Sequence, residues 1–247
     1  RDLVRSRGLG DVYKRQGFTG TVTAHTGTLA ITNNDYTVTQ LETIAGASSG
    51  TITFTTNDTA LSGNSTNLAA ALANTSNYDG AVAITNADYT LDELVTINNG
   101  TSGAITFTTA TTALSGTSTK FAQALAGTIG YGGAVTISNN DYTLAELVTI
   151  NAGTTGNITL THDDAALSGT VANYKLAFAG TVTTHTGTNL ITDADTTQIT
   201  ATDITFINTE SSGAITVQNN IDIRGTGAEV AAAAGQIDTV TDTPTAY

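Results

Sequence analysis

The sequence lacks residue types on which several kinds of protein depend. Its 247 residues include no Cys, Met or Trp and one Pro, and 8 Lys and Arg stand against 21 Asp and Glu. Without Cys there can be no disulfide scaffold, thiol enzyme or Cys-ligated zinc or iron–sulfur site. So few basic residues cannot form a phosphate-binding patch, so we expect no nucleic-acid partner. No apolar run approaches the roughly 20 residues of a membrane span, so we expect no membrane insertion.

Thr is the residue type that the chain has in abundance, with 54 copies. Charged residues make up 12% of the chain, and Leu, Ile and Val recur at regular intervals, which is not typical of an acidic disordered tail. The composition therefore favours an ordered, acidic, threonine-rich protein over a disordered segment.

Residues 1–16 differ from the rest of the chain. They hold five of the eight basic residues, and the composition changes abruptly at Gly17. Residues 11–16, Asp-Val-Tyr-Lys-Arg-Gln, resemble the translation of a sequencing adapter at the end of a metagenomic fragment. The alternatives are a basic arm or the start of a signal peptide, although no apolar segment follows. We therefore treat 1–16 as a non-native, disordered segment. The remaining residues have three basic and nineteen acidic side chains, a net charge of −16.

The rest of the chain is a tandem repeat with a period of 53 residues. Asp-Tyr-Thr begins at Asp35, Asp88 and Asp141, and Ala-Leu-Ser-Gly begins at Ala60, Ala113 and Ala166. Segments 73–125 and 126–178 align without a gap and are identical at 30 of 53 positions. We predict four repeats within 17–220, at about 20–72, 73–125, 126–178 and 179–220. Residues 221–247 lose the pattern and are predicted to be degenerate or truncated.

The sequence of each repeat predicts two strands that alternate with short helices. Residues 81–85 and 104–108 alternate apolar with small or polar side chains, as half-buried strands do. Thr90 and Glu93 form a capping-box pattern before apolar residues at helical spacing, and 120–125 predicts a second short helix. The predicted fold is mainly β, a repeat solenoid of parallel strands with short helices at its corners, possibly mixed α/β. The alternative, a string of 53-residue β-sandwich domains, fits poorly because such domains are marginally stable.

Three groups of residues could bind a ligand, and each has a simpler structural interpretation. The ladder of Asp35, Asp88 and Asp141 would suit Ca²⁺, but these residues and the Asn beside them could instead form hydrogen bonds with local backbone at a turn before a helix. His25 and His185 recur in the same His-Thr-Gly-Thr context, and we interpret them as surface residues. Thr-x-Thr pairs could form a flat ice-binding array, but Thr is also a common residue of exposed strands. We therefore assign no catalytic, cofactor-binding or metal-binding residues, and we expect no cofactor.

The repeated blocks Asp-Tyr-Thr-Leu-x-Glu-Leu-x-Thr-Ile, Gly-Ala-Ile-Thr and Ala-Leu-Ser-Gly-Thr resemble tandem-repeat regions of very large secreted or cell-surface proteins of aquatic bacteria. The resemblance covers roughly residues 18–217. It implies an adhesin-like structural protein, extracellular or at the cell surface and not an enzyme, that acts as a rigid spacer or presents a repeated surface. The expected partners are surface glycans or other copies of the chain. The alternatives are a phage tail-fibre repeat and a Ca²⁺- or ice-binding solenoid.

Overall fold

The computed structural model describes residues 25–56, 59–109, 111–127 and 129–240. They form two compact units, residues 25–89 with 96–108 and residues 90–95 with 109–240. The foreign segment predicted at residues 1–16 lies outside the described residues.

Short helices alternate with very short strands in both units. The helices are α1 (Val38–Ala47), α2 (Ser65–Leu72), α3 (Leu91–Gly100), α4 (Ser118–Ala124), α5 (Leu144–Gly153), α6 (Val171–Ala177), α7 (Ala201–Glu210) and α8 (Gly227–Gln236). The strands are β1 (Leu29–Ile31), β2 (Ile52–Phe54), β3 (Leu61–Gly63), β4 (Thr75–Ser76), β5 (Val82–Ile84), β6 (Ile105–Phe107), β7 (Leu114–Gly116), β8 (Val135–Ile137), β9 (Ile158–Leu160), β10 (Leu167–Gly169), β11 (Asn189–Ile191), β12 (Gln198–Thr200), β13 (Ile215–Val217), β14 (Asp222–Arg224) and β15 (Ile237–Val240).

The predicted fold is confirmed in part: parallel strands alternate with helices as in the mixed α/β form of the prediction, but the mainly-β class is not supported. Among the described residues 34% are helical and 25% are in strands, so the fold is α/β with parallel sheets. Capping boxes fix where some of the ten-residue helices begin, as at Thr37 with Gln40 and Thr143 with Glu146. The strands reach at most four residues because the chain turns a corner soon after each one.

Most of the predicted elements are present. The strands predicted at 81–85 and 104–108 are β5 and β6, and the helices predicted after Thr90 and at 120–125 are α3 and α4. The sequence does not predict the strands formed by Leu-Ser-Gly, such as β3, because three residues ending in Gly show no measurable alternation. Residues 221–240, which lack the repeat pattern, form β14, α8 and β15.

Every described strand pair is parallel, and one helix lies between its two members in the chain, as α1 lies between β1 and β2. The first unit has sheets of order β1-β2-β4 and β3-β5-β6. The second has sheets of order β7-β8-β9, β10-β11-β13-β15 and β12-β14. We call the stretch of chain that runs from one strand through a helix to the strand that pairs with it a coil. The repeat at 73–125 contains the two helices α3 and α4, so a repeat comprises two coils.

The core lies between the strands and the helices of successive coils. In the first unit, Leu61 pairs with Val82 and Val82 with Ile105, so that one apolar side chain lies above the next. All three are at most 3% exposed. Leu114, Val135 and Ile158 form the same row in the second unit. Because each row passes through several coils, the core is continuous within each unit.

Glycine allows close contact between coils at one corner. A Cβ placed on Gly50 would overlap the carbonyl oxygen of Gly27 in the preceding coil. The same overlap recurs at Gly103 with Gly80, at Gly156 with Gly133 and at Gly213 with Gly187. A side chain at these positions would therefore force the coils apart.

We predict that Gly50→Ala lowers the free energy of unfolding by about 1–3 kcal/mol, because the new methyl group overpacks this corner. Gly46→Ala is the matched control, since Gly46 lies in α1 with nothing within 4 Å of its added Cβ. The control should stabilise the protein by about 0.5–1 kcal/mol through helix propensity. Urea unfolding measures both values, and equal effects of the two variants would contradict the close-contact argument.

Candidate functional site

The Asn of the Asn-x-Asp motif connects one coil to the coil before it. Oδ1 of Asn86 accepts a hydrogen bond from the backbone N–H of Ser65 at 2.7 Å, and its Nδ2 donates to the Ser65 hydroxyl at 2.9 Å. Asn139 makes the same two bonds to Ser118, at 2.8 and 3.0 Å. Ser65 and Ser118 are the first residues of α2 and α4 and are fully buried. The amide therefore pairs a helix N–H that has no partner within its own helix.

The fourth repeat keeps this connection with different residues. Oδ2 of Asp193 accepts from the backbone N–H of Val171, the first residue of α6, at 2.8 Å. We call these contacts the Asn clamp, defined by Asn86 with Ser65, Asn139 with Ser118 and Asp193 with Val171. The clamp occurs at α2, α4 and α6, which is every second helix.

The carboxylates of the predicted Ca²⁺ ladder bind the clamp amides. Asp88 accepts from Nδ2 of Asn86 at 2.7 Å, Asp141 accepts from Asn139 at 2.6 Å, and Asp35 accepts from Asn33. The Asn86 bond holds the pKa of Asp88 below its usual value. The alternative interpretation placed these residues in hydrogen bonds with local backbone, whereas the Asp side chains accept from the neighbouring Asn and the Asn side chains bind the preceding coil. These carboxylates orient the clamp.

The geometry also separates the ladder carboxylates from one another. Asp35 and Asp88 are two coils apart, which places them at least ~9 Å apart, whereas Ca²⁺ ligands lie about 2.3–2.6 Å from the ion. Among the residues that the structure describes, no group of three or more His, Asp or Glu side chains could hold a metal ion.

Glu146 connects α4 to α5. Its carboxylate closes the capping box with the backbone N–H of Thr143 at 2.9 Å, and it accepts from the hydroxyls of Ser118 and Thr119 at 3.0 and 2.7 Å. Burial pushes the pKa of Glu146 upward, but the hydrogen bonds from Thr119, Thr143 and Ser118 outweigh it and lower the pKa. One carboxylate therefore caps its own helix and holds the preceding one.

A ring that donates a hydrogen bond recurs two residues before a corner glycine. The hydroxyls of Tyr78 and Tyr131 donate to the carbonyls of Thr59 and Thr112, both at 2.5 Å. His185 occupies the same place, with Nε2 2.7 Å from the carbonyl of Ala165. All three rings are at most 1% exposed.

The interpretation of His185 as a surface residue is therefore wrong, whereas His25 is exposed as predicted. The polar sequence His-Thr-Gly-Thr does not indicate that His185 is buried. The signal that could have predicted this burial is that other repeats have Tyr at the same distance before Gly. Tyr and His share a flat ring with a polar donor.

His185 belongs to a fully buried polar cluster with Ser211 and Asn189. Because a carbonyl only accepts, Nε2 carries the proton toward Ala165, and Nδ1 accepts from the Ser211 hydroxyl at 3.0 Å. Ser211 in turn accepts from Nδ2 of Asn189 at 2.8 Å. Burial lowers the pKa of His185, although the carbonyl of Ala165 and the carboxylates of Asp163 and Asp164 oppose this. A serine beside a histidine can act as a nucleophile, but neither group here is accessible to a substrate.

The three basic side chains after Gly17 are all paired with Asp. Lys120 binds Asp92 at 2.6 Å, Lys175 binds Asp203 at 2.7 Å, and Arg224 lies 3.8 Å from Asp222. The Lys175 pair joins the successive helices α6 and α7. The Lys120 and Arg224 pairs are exposed on both sides and contribute little to stability, whereas the Asp203 side chain of the Lys175 pair is only 21% exposed. The remaining acidic side chains keep the surface strongly negative, which opposes binding to nucleic acid.

The outward positions of the strands carry small hydroxyl side chains in broken rows. In the second unit Ser115, Thr136 and Thr159 are aligned across β7, β8 and β9. The corresponding row of the first unit has Ala83 in its middle, and Leu190 follows Ser168 in the fourth repeat. The Thr pairs thus fall in register only in part, so the sheets present a mixed surface rather than a uniform Thr array.

The chain shows no match to any protein-family model, curated protein or solved structure. In the part of the chain that the structure describes, no helix combines the length and apolar character needed to cross a bilayer.

We predict that the buried imidazole of His185 makes the protein less stable in mild acid. Its pKa is lowered by folding, so below about pH 6.5 the unfolded chain binds a proton that the folded chain does not. The free energy of unfolding should therefore fall as pH decreases from 7 to 5, by up to about 1.4 kcal/mol per pH unit.

His185→Tyr is the matched variant, because it reproduces Tyr131 and keeps a donor for the Ala165 carbonyl. Urea unfolding at pH 7 and 5 should show a smaller loss of stability in this variant than in the parent. The same loss in both proteins would assign the acid sensitivity to other groups.

We further predict that Glu146→Ala lowers the free energy of unfolding by about 1–2 kcal/mol more than Glu229→Ala. Both substitutions remove a capping box, with Thr143 and Thr226 respectively. Glu146 additionally binds Ser118 and Thr119 in the preceding coil, so the difference between the variants measures the connection between coils. Equal losses in urea unfolding would assign Glu146 to capping alone.

Proposed function

We propose that this chain is a non-enzymatic structural or adhesive repeat segment of an extracellular or cell-surface protein. In this proposal the coils form a repeat solenoid, which serves as a rigid spacer or presents a repeated surface. The observation that carries the proposal is that the most regularly repeated polar residues connect coil to coil. Asn86, Asn139 and Glu146 bind the preceding coil, and Asp88 and Asp141 orient the clamps.

The chemistry of the potential sites supports a structural role. An active site needs reactive groups that converge where a substrate can reach them. The one Ser–His pair described above is fully buried, and the motif carboxylates are held by the clamp amides. The polar groups named above therefore hold neighbouring coils of the repeat together.

The surface supports the proposed location and partners. The acidic, Cys-free composition suits a secreted segment, and the outward strand positions offer hydroxyls such as those of Ser115 and Thr159 in repeated rows. Repeated hydroxyls could form many weak hydrogen bonds with surface glycans, and such contacts strengthen with their number. Of the two forms of the proposal, the one in which the chain presents a repeated surface explains these rows of hydroxyls.

Strand pairing favours this proposal over a viral fibre built from intertwined chains. Each described strand finds its partner across a single helix of the same chain, as β5 does with β6 across α3 and β8 does with β9 across α5. A coil therefore needs only its neighbours in the same chain to complete its sheet. This supports a repeat segment that folds as a single chain.

Deletion of whole repeats tests the proposal. Removing residues 73–125 takes out two coils and should leave a folded protein, because residue 126 then follows Leu72 as residue 73 did. Removing 73–98 takes out one coil and the Asn86 clamp, so this control should lose much more stability. Circular dichroism with urea unfolding compares them. Loss of folding in both variants would contradict an array of interchangeable repeats.

Binding to a glycan array separates the two forms of the proposal. An adhesive surface made by the repeats predicts binding that weakens when residues 73–125 are deleted, because fewer contacts remain. A spacer predicts no binding by either protein. Binding of one ligand per chain at unchanged affinity in the deletion variant would indicate a single site and would contradict both forms.

A further inference from the structure

We propose that a groove between α3 and α4 binds a neutral saccharide unit through two adjacent sugar hydroxyls. The groove has a volume of about 320 Å³, which is within the range of small-ligand sites. It lies inside the second unit, and its lining comes from the first turns of α3 and α4, the end of β7 and the residue after β8. The inference rests on the adhesive form of the proposed function and assigns it one site.

The floor of the groove is apolar, and a glycine keeps it open. Gly116 ends β7, and a Cβ placed on it would overlap the side chain of Leu91, the first residue of α3. Leu91 is 7% exposed, so it presents a small apolar surface at the bottom of the groove. One face of a sugar ring consists mainly of C–H groups, and such a face fits an apolar floor flanked by a few polar groups.

The walls of the groove carry a charged pair and hydroxyl groups. Nζ of Lys120 lies 2.6 Å from Oδ1 of Asp92, and the two side chains are 50% and 75% exposed. This contact uses one of the three N–H donors of Lys120. The hydroxyls of Ser115 and Ser138 also line the groove and have no hydrogen-bond partner among the described residues. The groove therefore offers a carboxylate acceptor, ammonium donors and two hydroxyls to a ligand.

This set of groups fits a neutral ligand that is rich in hydroxyls. Lys120 and Asp92 neutralise each other, so the lining has no net charge, and the acidic surface of the protein repels free anions. Adjacent sugar hydroxyls can donate to the Asp92 carboxylate and accept from Lys120, and hydrogen bonds to charged groups are the stronger ones. Ser115 also belongs to the outward row that continues through Thr136 and Thr159, so the groove adjoins the proposed adhesive surface.

The next repeat keeps the floor of the groove without the charged pair. A Cβ placed on Gly169 would overlap Leu144, the first residue of α5, as in the groove described above. The positions 53 residues after the charged pair hold Ala145 and Asn173, and both are exposed. An exposed ion pair contributes little to stability, so the stacking of coils does not require one at this place. The charged pair therefore distinguishes the groove from the contacts that recur between coils.

Titration with methyl glycosides tests the site. The methyl α-glycosides of mannose, glucose and galactose are added separately to the isotope-labelled full chain, and the amide chemical shifts are followed by NMR. We expect saturable shifts at residues 90–92, 115–117 and 138 with at least one glycoside, and a Kd of about 1 mM, which is ordinary for a ligand of this size. Glycine is the counter-probe, because its two opposite charges match the pair without any sugar hydroxyl.

Two variants assign the binding to the charged pair. Asp92→Asn should weaken binding about tenfold, because a hydrogen bond to a carboxylate becomes one to a neutral amide, while urea unfolding stays unchanged. Ala145→Asp combined with Asn173→Lys places the pair at the equivalent position of the next repeat, where both residues are exposed. This double variant should raise the number of glycosides bound per chain from one to two.

Absence of saturable shifts with all three glycosides would overturn the inference, and so would the same shifts with glycine. Unchanged affinity in Asp92→Asn, or one bound glycoside per chain in the double variant, would also overturn it, because the pair would not make the site. The proposed function fails separately, through the deletion of residues 73–125, which is measured without sugar. A folded deletion variant, together with no glycoside binding by the full chain, would retain the array of repeats and reject the groove.

Discussion

The close contact between successive coils is the constraint on which the rest of the structure depends. Parallel pairing places strands about 4.8 Å apart, so whatever lies at a corner must fit within that spacing. Gly50 and Gly156 meet this condition by having no side chain beside the carbonyls of Gly27 and Gly133. The same closeness buries helix ends, whose N–H groups then need partners that water cannot supply. The Asn clamp at Ser65 and Ser118 meets that need from the next coil.

The alternation of two kinds of coil explains why the repeat contains two coils rather than one. Helices α1 and α5 begin with a capping box formed within the helix, at Thr37 with Gln40 and Thr143 with Glu146. Helices α2 and α4 begin with a buried Ser that needs the clamp. The coil that supplies the clamp is therefore not the coil that receives it, and the smallest unit that repeats faithfully contains both.

The sequence predicts features that depend on neighbours in the chain and misses those that depend on neighbours in space. Capping boxes, the apolar alternation of β5 and β6 and the 53-residue period are local or periodic, and the structure contains the corresponding elements. The partner of Asn86 lies 21 residues earlier, and it can be identified only once the strand register is known. The sequence predicts less helix than the structure contains, because capping signals predict where a helix begins better than where it ends. The burial of His185 likewise depends on Ala165, 20 residues earlier in the chain.

The fourth repeat shows how such an array tolerates change. Asn189 stands in the inward row where Val82 and Val135 stand in earlier repeats, and a buried amide without partners would be costly. Its Nδ2 donates to Ser211, which donates to His185, so three polar residues in adjoining coils partly compensate one another, while Oδ1 of Asn189 is buried and has no hydrogen-bond partner among the described residues. Because each coil contacts only its neighbours, compensation has to be found within one or two coils of the substitution. A stacked array can therefore diverge one repeat at a time, provided that each change is matched across the nearest contact between coils.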